Sequence, residues 1–241
     1  FTGEKVKTIE TKIEMLNNNV KIIYRSDDGY PIYGDRKEPL SFIIILGSPK
    51  IAIVECIINE NGEIKWNISG YLEGHEYMIS GMLSLEFLTG QNDQDGDVDV
   101  KHLVSTGLTG EIFLWDVVSR KIIETTKEMV NSYIRDMDVS SEILAVLSDN
   151  CIKLFCVPSI QLHSTLEIQK GVGIAFADDG KKLYCITKFQ LLYYKKEEEK
   201  FKLQKSIDID IPKIINVDDE YIMVGTNSGS VHLYDKNLNE I

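Results

Sequence analysis

The chain has 241 residues, which is enough to bury a substantial core and lies within the range of single all-β domains. Its composition, 43% hydrophobic and 27% charged, excludes the intrinsically disordered and collagen-like classes. The net charge of −12 repels phosphate backbones and no run of basic residues offsets it, so direct nucleic-acid binding is not expected.

The cysteines show neither CxxC spacing nor the spacing of metal ligands, and they are Cys56, Cys151, Cys156 and Cys185. No secretory signal precedes them. They predict reduced thiols in an intracellular protein of the cytoplasm or nucleus, without a bound metal or cofactor.

The first strand-like segments span residues 40–46, 51–58 and 64–72. The apolar stretch over residues 41–58 has the length of a membrane span, but glycine and proline interrupt it and a glutamate lies within it. It therefore predicts two buried strands around a turn and no contact with a membrane.

A polar segment, residues 89–101, separates a predicted strand over 79–88 from another over 102–107. Its carboxylates alternate as calcium ligands do: Asp93, Asp95, Asp97 and Asp99. An EF-hand loop with Gly96 at its sixth position would need a glutamate where His102 stands, so that motif does not match. We expect a solvated surface insertion; a weak calcium site and a docking point for a basic partner are the alternatives.

A repeated pattern dominates the rest of the chain. In its clearest copy, residues 105–116, a strand leads through a glycine turn into an alternating strand that ends at Trp115 and Asp116. The same register recurs at residues 149–156, 190–195 and 228–235. The aromatic residues at the equivalent position are separated by 40, 39 and 40 residues, and they are Trp115, Phe155, Tyr194 and Tyr234. A period of about 40 to 45 residues is typical of propeller blades.

Residues 121–137 allow two interpretations. Ile122, Ile123 and Met129 lie on the apolar face of an amphipathic helix, but Thr125 and Thr126 and the overall spacing fit two strands joined by a turn better. We therefore predict strands in this segment.

The repeat resembles the WD repeat, in which a Gly-His pair opens the unit and Trp-Asp ends it. Gly74 and His75 match the opening pair, and His75 lies 41 residues ahead of Asp116. The resemblance implies an all-β, WD40-like β-propeller built of four-stranded antiparallel blades. Each alternating strand has a face that a neighbouring sheet must bury, so we expect the blades to pack side by side. We expect five to seven blades, or a fragment of a seven-bladed ring.

We interpret residues 1–241 as one propeller domain. Its predicted units span residues 16–58, 74–116, 132–158, 172–197 and 212–241. Val54 stands at the tryptophan position of the first unit, and the insertion at 89–101 accounts for the longer interval before Trp115. Residues 6–13 are the candidate outer strand that completes the last blade and closes the ring.

In the WD-repeat family, a histidine, a serine or threonine, a turn aspartate and a tryptophan form a buried hydrogen-bond network. The resemblance assigns three of these positions to His75, Ser105 and Trp115. The turn position holds Thr109, so we expect this network to be incomplete, whereas Asp149 supplies the turn aspartate of the next unit. We interpret His75, Ser105, Trp115 and Asp149 as structural, because buried and fully partnered polar groups specify packing.

No catalytic pattern accompanies the repeat. The four histidines are scattered, and no Gly-x-Ser-x-Gly sequence surrounds a serine, so a nucleophilic triad is not indicated. The Arg-Arg pair of lipid-binding propellers is also missing. We predict a protein that is not an enzyme and has no small-molecule substrate.

Propellers of this family bind partners over the face formed by loops that enter the first strand and loops that join the second strand to the third. On this register the face includes Thr109, Asn131, Lys170 and Lys213. We select six further residues there as candidate partner-binding residues, since exposed aromatic side chains are favoured anchors: Glu76, Tyr77, Tyr133, Asn150, Phe189 and Asn227. Simple packing at strand ends is the alternative role for the aromatic members.

The sequence thus predicts a protein-protein interaction scaffold, a subunit or domain of a multiprotein complex that positions partners or substrates. The alternative is an accessory subunit that organises an RNA-modifying or ribosome-associated enzyme. An enzymatic propeller is disfavoured, because no residue set nominates a metal or acid-base centre. The negative charge favours partners with basic surfaces in each case.

Overall fold

The computed structural model describes residues 40–45, 49–58, 64–85, 102–117, 119–129, 132–140, 142–178 and 180–241. These residues form strands and turns and contain no helix. The strands are β1 Leu40–Ile45, β2 Lys50–Ile58, β3 Ile64–Glu73, β4 Ile79–Ser84, β5 His102–Gly107, β6 Ile112–Asp116, β7 Lys121–Thr126, β8 Ile134–Val139, β9 Ile143–Ser148, β10 Cys151–Cys156, β11 Gln161–Glu167, β12 Gly171–Ala177, β13 Lys182–Thr187, β14 Gln190–Glu197, β15 Lys200–Asp208, β16 Pro212–Val217, β17 Tyr221–Thr226 and β18 Val231–Asp235.

Consecutive strands pair antiparallel into five sheets. The first sheet contains β1 to β3, the second β4 to β7, the third β8 to β11, the fourth β12 to β15 and the fifth β16 to β18. The prediction of an all-β fold with four-stranded antiparallel units is confirmed. The helical interpretation of residues 121–137 is wrong, because β7 and β8 lie there.

The predicted units differ from the sheets at their C-terminal ends. Units 74–116, 132–158 and 172–197 contain the first three strands of the second, third and fourth sheets. The fourth strands, β7, β11 and β15, begin after those limits. The repeating aromatic residue marks the third strand of the second to fifth sheets, so the pattern carries no signal for the strand that follows.

The sequence repeat is also a repeat of backbone structure. The pairing between the third and fourth strands shifts register immediately before Trp115, Phe155 and Tyr194. The pairing of β2 with β3 shifts immediately before Val54, the residue matched to the tryptophan position. A β-bulge of this kind increases the local twist, and its recurrence shows that these segments have the same local structure.

Three apolar clusters lie between successive sheets. In β9, Leu144 and Val146 pack with residues of the second sheet, whereas Ala145 and Leu147 pack with residues of the fourth. All six residues of β9 are buried. Because both faces of this strand are covered, its sequence is a continuous apolar run and not an alternating one.

The first strands of neighbouring sheets lie next to one another, in the order β4, β8, β12 and β16. Side chains of β8 reach the backbone of β12. Asp136 Oδ2 accepts a hydrogen bond from the Ile174 amide at 3.0 Å, and Asp138 Oδ2 accepts one from the Phe176 amide at 2.7 Å. These carboxylates therefore satisfy donors of β12, which is an edge strand among the described residues.

Three predicted segments fall outside the described residues: the closing strand at 6–13, residues 16–39 of the first unit, and residues 86–101, which include the acidic insertion. Within the described ranges, no helix is long and apolar enough to cross a membrane. Within the same ranges, no three histidine, cysteine, aspartate or glutamate side chains come together as a metal site would require.

Candidate functional site

The residues predicted to bind partners lie at one end of the sheets. The strands β4, β8, β12 and β16 begin at this end, and the turns that join the second strand to the third lie there as well. We call it the loop face. All six candidate residues lie on it and all are exposed, namely Glu76, Tyr77, Tyr133, Asn150, Phe189 and Asn227. Asn131, predicted for the same face, lies outside the described residues.

A cleft of about 810 Å³ opens on the loop face. Four sheets contribute to it, from Ser80 in the second sheet to Lys213 in the fifth. Tyr133 and Asn150 line the cleft, as do Lys170 and Lys213, two further residues that the repeat register placed on this face. The remaining lining residues are Ile134, Arg135, Asp149, Gly171, Val172 and Lys188.

The cleft is basic although the chain is acidic. Its lining contains Arg135, Lys170, Lys188 and Lys213, with Asp149 as the one acidic side chain among the lining residues. No basic run marks this concentration in the sequence, because the four cations are far apart in the chain, although the repeat register predicted Lys170 and Lys213 on this face. Lys170 lies in the loop that enters β12, and Lys188 lies in the turn between β13 and β14. Arg135 and Lys213 are the second residues of β8 and β16, so all four cations come to the same end of the sheets.

Asp149 neutralises one of these cations. Its Oδ1 accepts a hydrogen bond from Arg135 Nε at 2.6 Å, and this contact raises the pKa of Arg135 above its usual value. No ion pair within the described part of the chain engages Lys170, Lys188 or Lys213. Three positive charges therefore line the cleft without a neutralising carboxylate from the residues that the structure describes.

Aromatic rings stand beside the cations. The Arg135 guanidinium lies 4.5 Å from the centre of the Tyr133 ring, and Lys188 Nζ lies 4.9 Å from the centre of the Phe189 ring. Both rings are about half exposed, at 52% for Tyr133 and 50% for Phe189. Such cation–π contacts orient the charged groups while leaving ring surface free for a ligand.

The backbone of these loops is tied together. The Gly171 amide donates to the Asp149 carbonyl at 3.0 Å, and the Lys188 amide donates to the Lys170 carbonyl at 2.9 Å. These bonds join the second turns of the third and fourth sheets to the segment between the two sheets. The cleft wall is therefore held by hydrogen bonds and does not consist of independent loops.

A second polar cluster is buried inside the second sheet. Ser105 Oγ lies 2.6 Å from His75 Nε2 and 2.7 Å from Trp115 Nε1. His75 Nδ1 lies 3.2 Å from Glu111 Oε1, and the Thr109 hydroxyl donates to the other carboxylate oxygen. His75, Ser105 and Trp115, the three residues matched to the family network, are thus in contact.

The direction of each hydrogen bond follows from the available protons. Trp115 Nε1 can only donate, so Ser105 Oγ accepts from it and gives its own proton to His75 Nε2. His75 Nδ1 then carries the ring proton and donates to the Glu111 carboxylate. A neutral histidine meets this arrangement, and burial lowers the pKa of His75 although Glu111 acts to raise it.

The structure corrects one expectation about this network. Thr109 does not leave it without a carboxylate, because Glu111, two residues later, reaches His75. Gly107 makes this possible, since a Cβ at that position would overlap the Glu111 carboxylate. Burial acts to raise the pKa of Glu111, but hydrogen bonds from Thr109, its own backbone amide and His75 outweigh it and lower that pKa.

Asp149 lies apart from this cluster, on the surface beside Arg135. The turn-aspartate position of the third sheet therefore contributes to the cleft wall and not to a buried network as predicted. The serine of the buried cluster is inaccessible, since Ser105 has no exposed surface and its hydroxyl is engaged on both sides. A substrate in solution does not reach this Ser-His-Glu arrangement.

Comparison with known proteins adds no assignment to these observations. No protein-family model matches the chain, and no curated protein matches its sequence.

Proposed function

We propose that the chain is a WD-repeat β-propeller that acts as a non-catalytic scaffold and binds other proteins through its loop face. The observation that carries this proposal is the convergence of exposed aromatic residues from three sheets or their connections on one face: Tyr77, Tyr133 and Phe189. Large, half-exposed rings around a cleft are the usual anchors of protein interfaces.

The packing of the sheets supports the propeller. The paired residues Leu147 and Ile152 of the third sheet have no exposed surface, since the fourth sheet covers them. In the fourth sheet, Ile186 and Leu191 are equally buried. Val231, at the equivalent place in the fifth sheet, is 71% exposed.

The exposed row on the fifth sheet is apolar throughout. Ile214 pairs with Gly225, and Gly225 pairs with Val231, so the three residues share one face. Ile214 is 66% exposed. A further sheet packed on this row would complete the pattern of the preceding sheets, as ring closure requires.

Affinity purification of the protein from its native cell, followed by mass spectrometry, tests the scaffold function. The wild type is compared with a Tyr77→Ala, Tyr133→Ala, Phe189→Ala triple variant. Tyr221→Ala serves as the control, because Tyr221 is 37% exposed and begins β17 at the end of the fifth sheet opposite the loop face. We expect stable partners that the control retains and the triple variant loses.

Two results would contradict the proposal. Recovery of the wild type without partners would contradict the scaffold function. Equal recovery of partners by both variants would show that the loop face is not their binding surface. The chemistry of the recovered partners separates a general scaffold from an accessory subunit of an RNA-modifying or ribosome-associated enzyme.

A further inference from the structure

The basic cleft on the loop face has a ligand preference that the charge of the whole chain does not predict. We propose that it binds an acidic peptide segment of a partner protein, whose aspartate and glutamate side chains pair with Lys170, Lys188 and Lys213. This inference rests on the proposed scaffold function and names the chemistry of one partner.

The distribution of charge is the first argument. A chain with a net charge of −12 places four cations in the lining of one cleft, against one carboxylate. A concave surface lined by one sign of charge concentrates the field and attracts the opposite charge. The net charge of −12 disfavours binding of an acidic segment to the chain in general, so the basic cleft is the favoured place for it.

The fixed geometry of the cleft is the second argument. The backbone bonds from Gly171 to Asp149 and from Lys188 to Lys170 hold lysines of two neighbouring turns in place before a ligand arrives. Less ordering of loops is then needed on binding, which lowers the entropic cost of association. Rings of Tyr133 and Phe189 provide apolar surface for the stems of glutamate side chains and for the peptide backbone.

The cations of the cleft are of kinds that pair with carboxylates. Arg135 Nε is already engaged by Asp149. The three remaining cations are lysines, which act as point charges on flexible stems. The Arg135–Asp149 pair itself shows that a carboxylate fits beside these rings.

The size of the basic surface favours a peptide over a nucleic acid. Nucleic-acid binding needs several phosphates neutralised along a backbone, and the field of an acidic chain opposes each phosphate outside the cleft. A cleft of about 810 Å³ takes a few side chains of a peptide. The basic lining of this cleft differs from the expectation of partners with basic surfaces, which was drawn from the net charge of the chain.

Fluorescence anisotropy of the full chain with a labelled peptide of about eight alternating aspartate and glutamate residues tests the proposal. The cleft variant is Lys170→Gln, Lys188→Gln, Lys213→Gln. The control is Lys121→Gln, Lys181→Gln, Lys200→Gln. It makes the same change of charge at exposed lysines that lie at the end of the sheets opposite the loop face. Circular dichroism and thermal melting establish that both variants fold.

We expect the wild type to bind the acidic peptide and not a glutamine peptide of the same length. The cleft variant should bind about tenfold more weakly, which corresponds to roughly 1.4 kcal/mol, and the control within about twofold of the wild type. Added salt should weaken binding by the wild type more than binding by the cleft variant.

Four results would overturn the proposal. These are no binding of the acidic peptide by the wild type, equal weakening in both variants, binding of a phosphoserine peptide without binding of the carboxylate peptide, and tighter cleft-dependent binding of a single-stranded oligonucleotide. Failure of the acidic-peptide proposal can be distinguished from failure of the scaffold function. Partners that depend on Tyr77, Tyr133 and Phe189 would still be recovered if the scaffold function holds and the cleft has no acidic ligand.

Discussion

His75 Nδ1 lies 3.2 Å from Glu111 Oε1, so a residue of the β3–β4 connection is bonded to the turn between β5 and β6. Ser105 and Trp115 extend this contact across β5 and β6. The cluster therefore fastens the segment before the first strand of the sheet to its second and third strands. All four side chains are buried and hydrogen-bonded, so replacing one of them should produce a measurable change in the free energy of unfolding.

Replacing Ser105 with alanine removes the central atom of the cluster. Trp115 Nε1 and His75 Nε2 are then left without partners in a buried site, and each unsatisfied group costs about 1–3 kcal/mol. We expect urea denaturation to show a loss of about 2–4 kcal/mol in the free energy of unfolding. Ser206→Ala, at an exposed strand position, is the control and should change stability by less than about 0.5 kcal/mol.

Replacing Gly107 with alanine should displace the Glu111 carboxylate, because the new Cβ overlaps it. A double-mutant cycle with Glu111→Ala isolates this effect. We expect Gly107→Ala to cost about 1–3 kcal/mol in the wild type and much less when Glu111 is absent, measured by thermal or urea unfolding. Additive losses in the double variant would show that the carboxylate is not what Gly107 accommodates.

Acidification should weaken the contribution of this cluster. The folded-state pKa of His75 lies below its ordinary 6.5, so its stabilising effect is complete above pH 6.5 and is lost as pH falls toward the folded value. The pKa of Glu111 is also lowered, from 4.5, so its contribution is lost at still lower pH. The stability difference between wild type and His75→Asn should therefore be smaller at pH 5 than at pH 7.5, and a larger difference at pH 5 would contradict this reasoning.

Removing the Asp138 carboxylate should expose the edge of β12. The Phe176 amide donates to Asp138 Oδ2 at 2.7 Å, and Asp138→Ala leaves that amide without this acceptor. We expect faster hydrogen exchange at Phe176 and a loss of about 1–3 kcal/mol in the free energy of unfolding. Asp210→Ala, at an exposed position, should leave the exchange rate at Phe176 unchanged.

A substitution in the apolar row on the fifth sheet tests whether a further sheet closes the ring. If a further sheet covers Val231, Val231→Ser should cost about 1–2 kcal/mol of stability through lost burial. Leu203→Ser is the control, since Leu203 is 54% exposed on the outer strand β15. Equal and small effects of the two substitutions, read from urea unfolding, would count against a closed propeller.

Local features of the structure were predictable from the sequence. The strands at residues 102–107 and 51–58 follow the apolar pattern closely, because alternation and turn glycines act over a few neighbouring residues. The regular spacing of Trp115, Phe155 and Tyr194, 40 and 39 residues, also corresponds to equivalent bulged positions. The fourth strands contain no repeating residue of this kind, so their positions became clear only from the hydrogen bonds of the assembled sheets.

The sequence by itself determined the strand order, the repeat and the residues that reach the loop face, since these depend on contacts between neighbours in the chain. Tertiary structure alone decided which distant side chains meet. Glu111 replaces the expected turn aspartate because the open space at Gly107 lets its longer side chain reach His75. The four cations form one basic cleft because the sheets pack with their first strands side by side, which brings together loops that are far apart in the sequence.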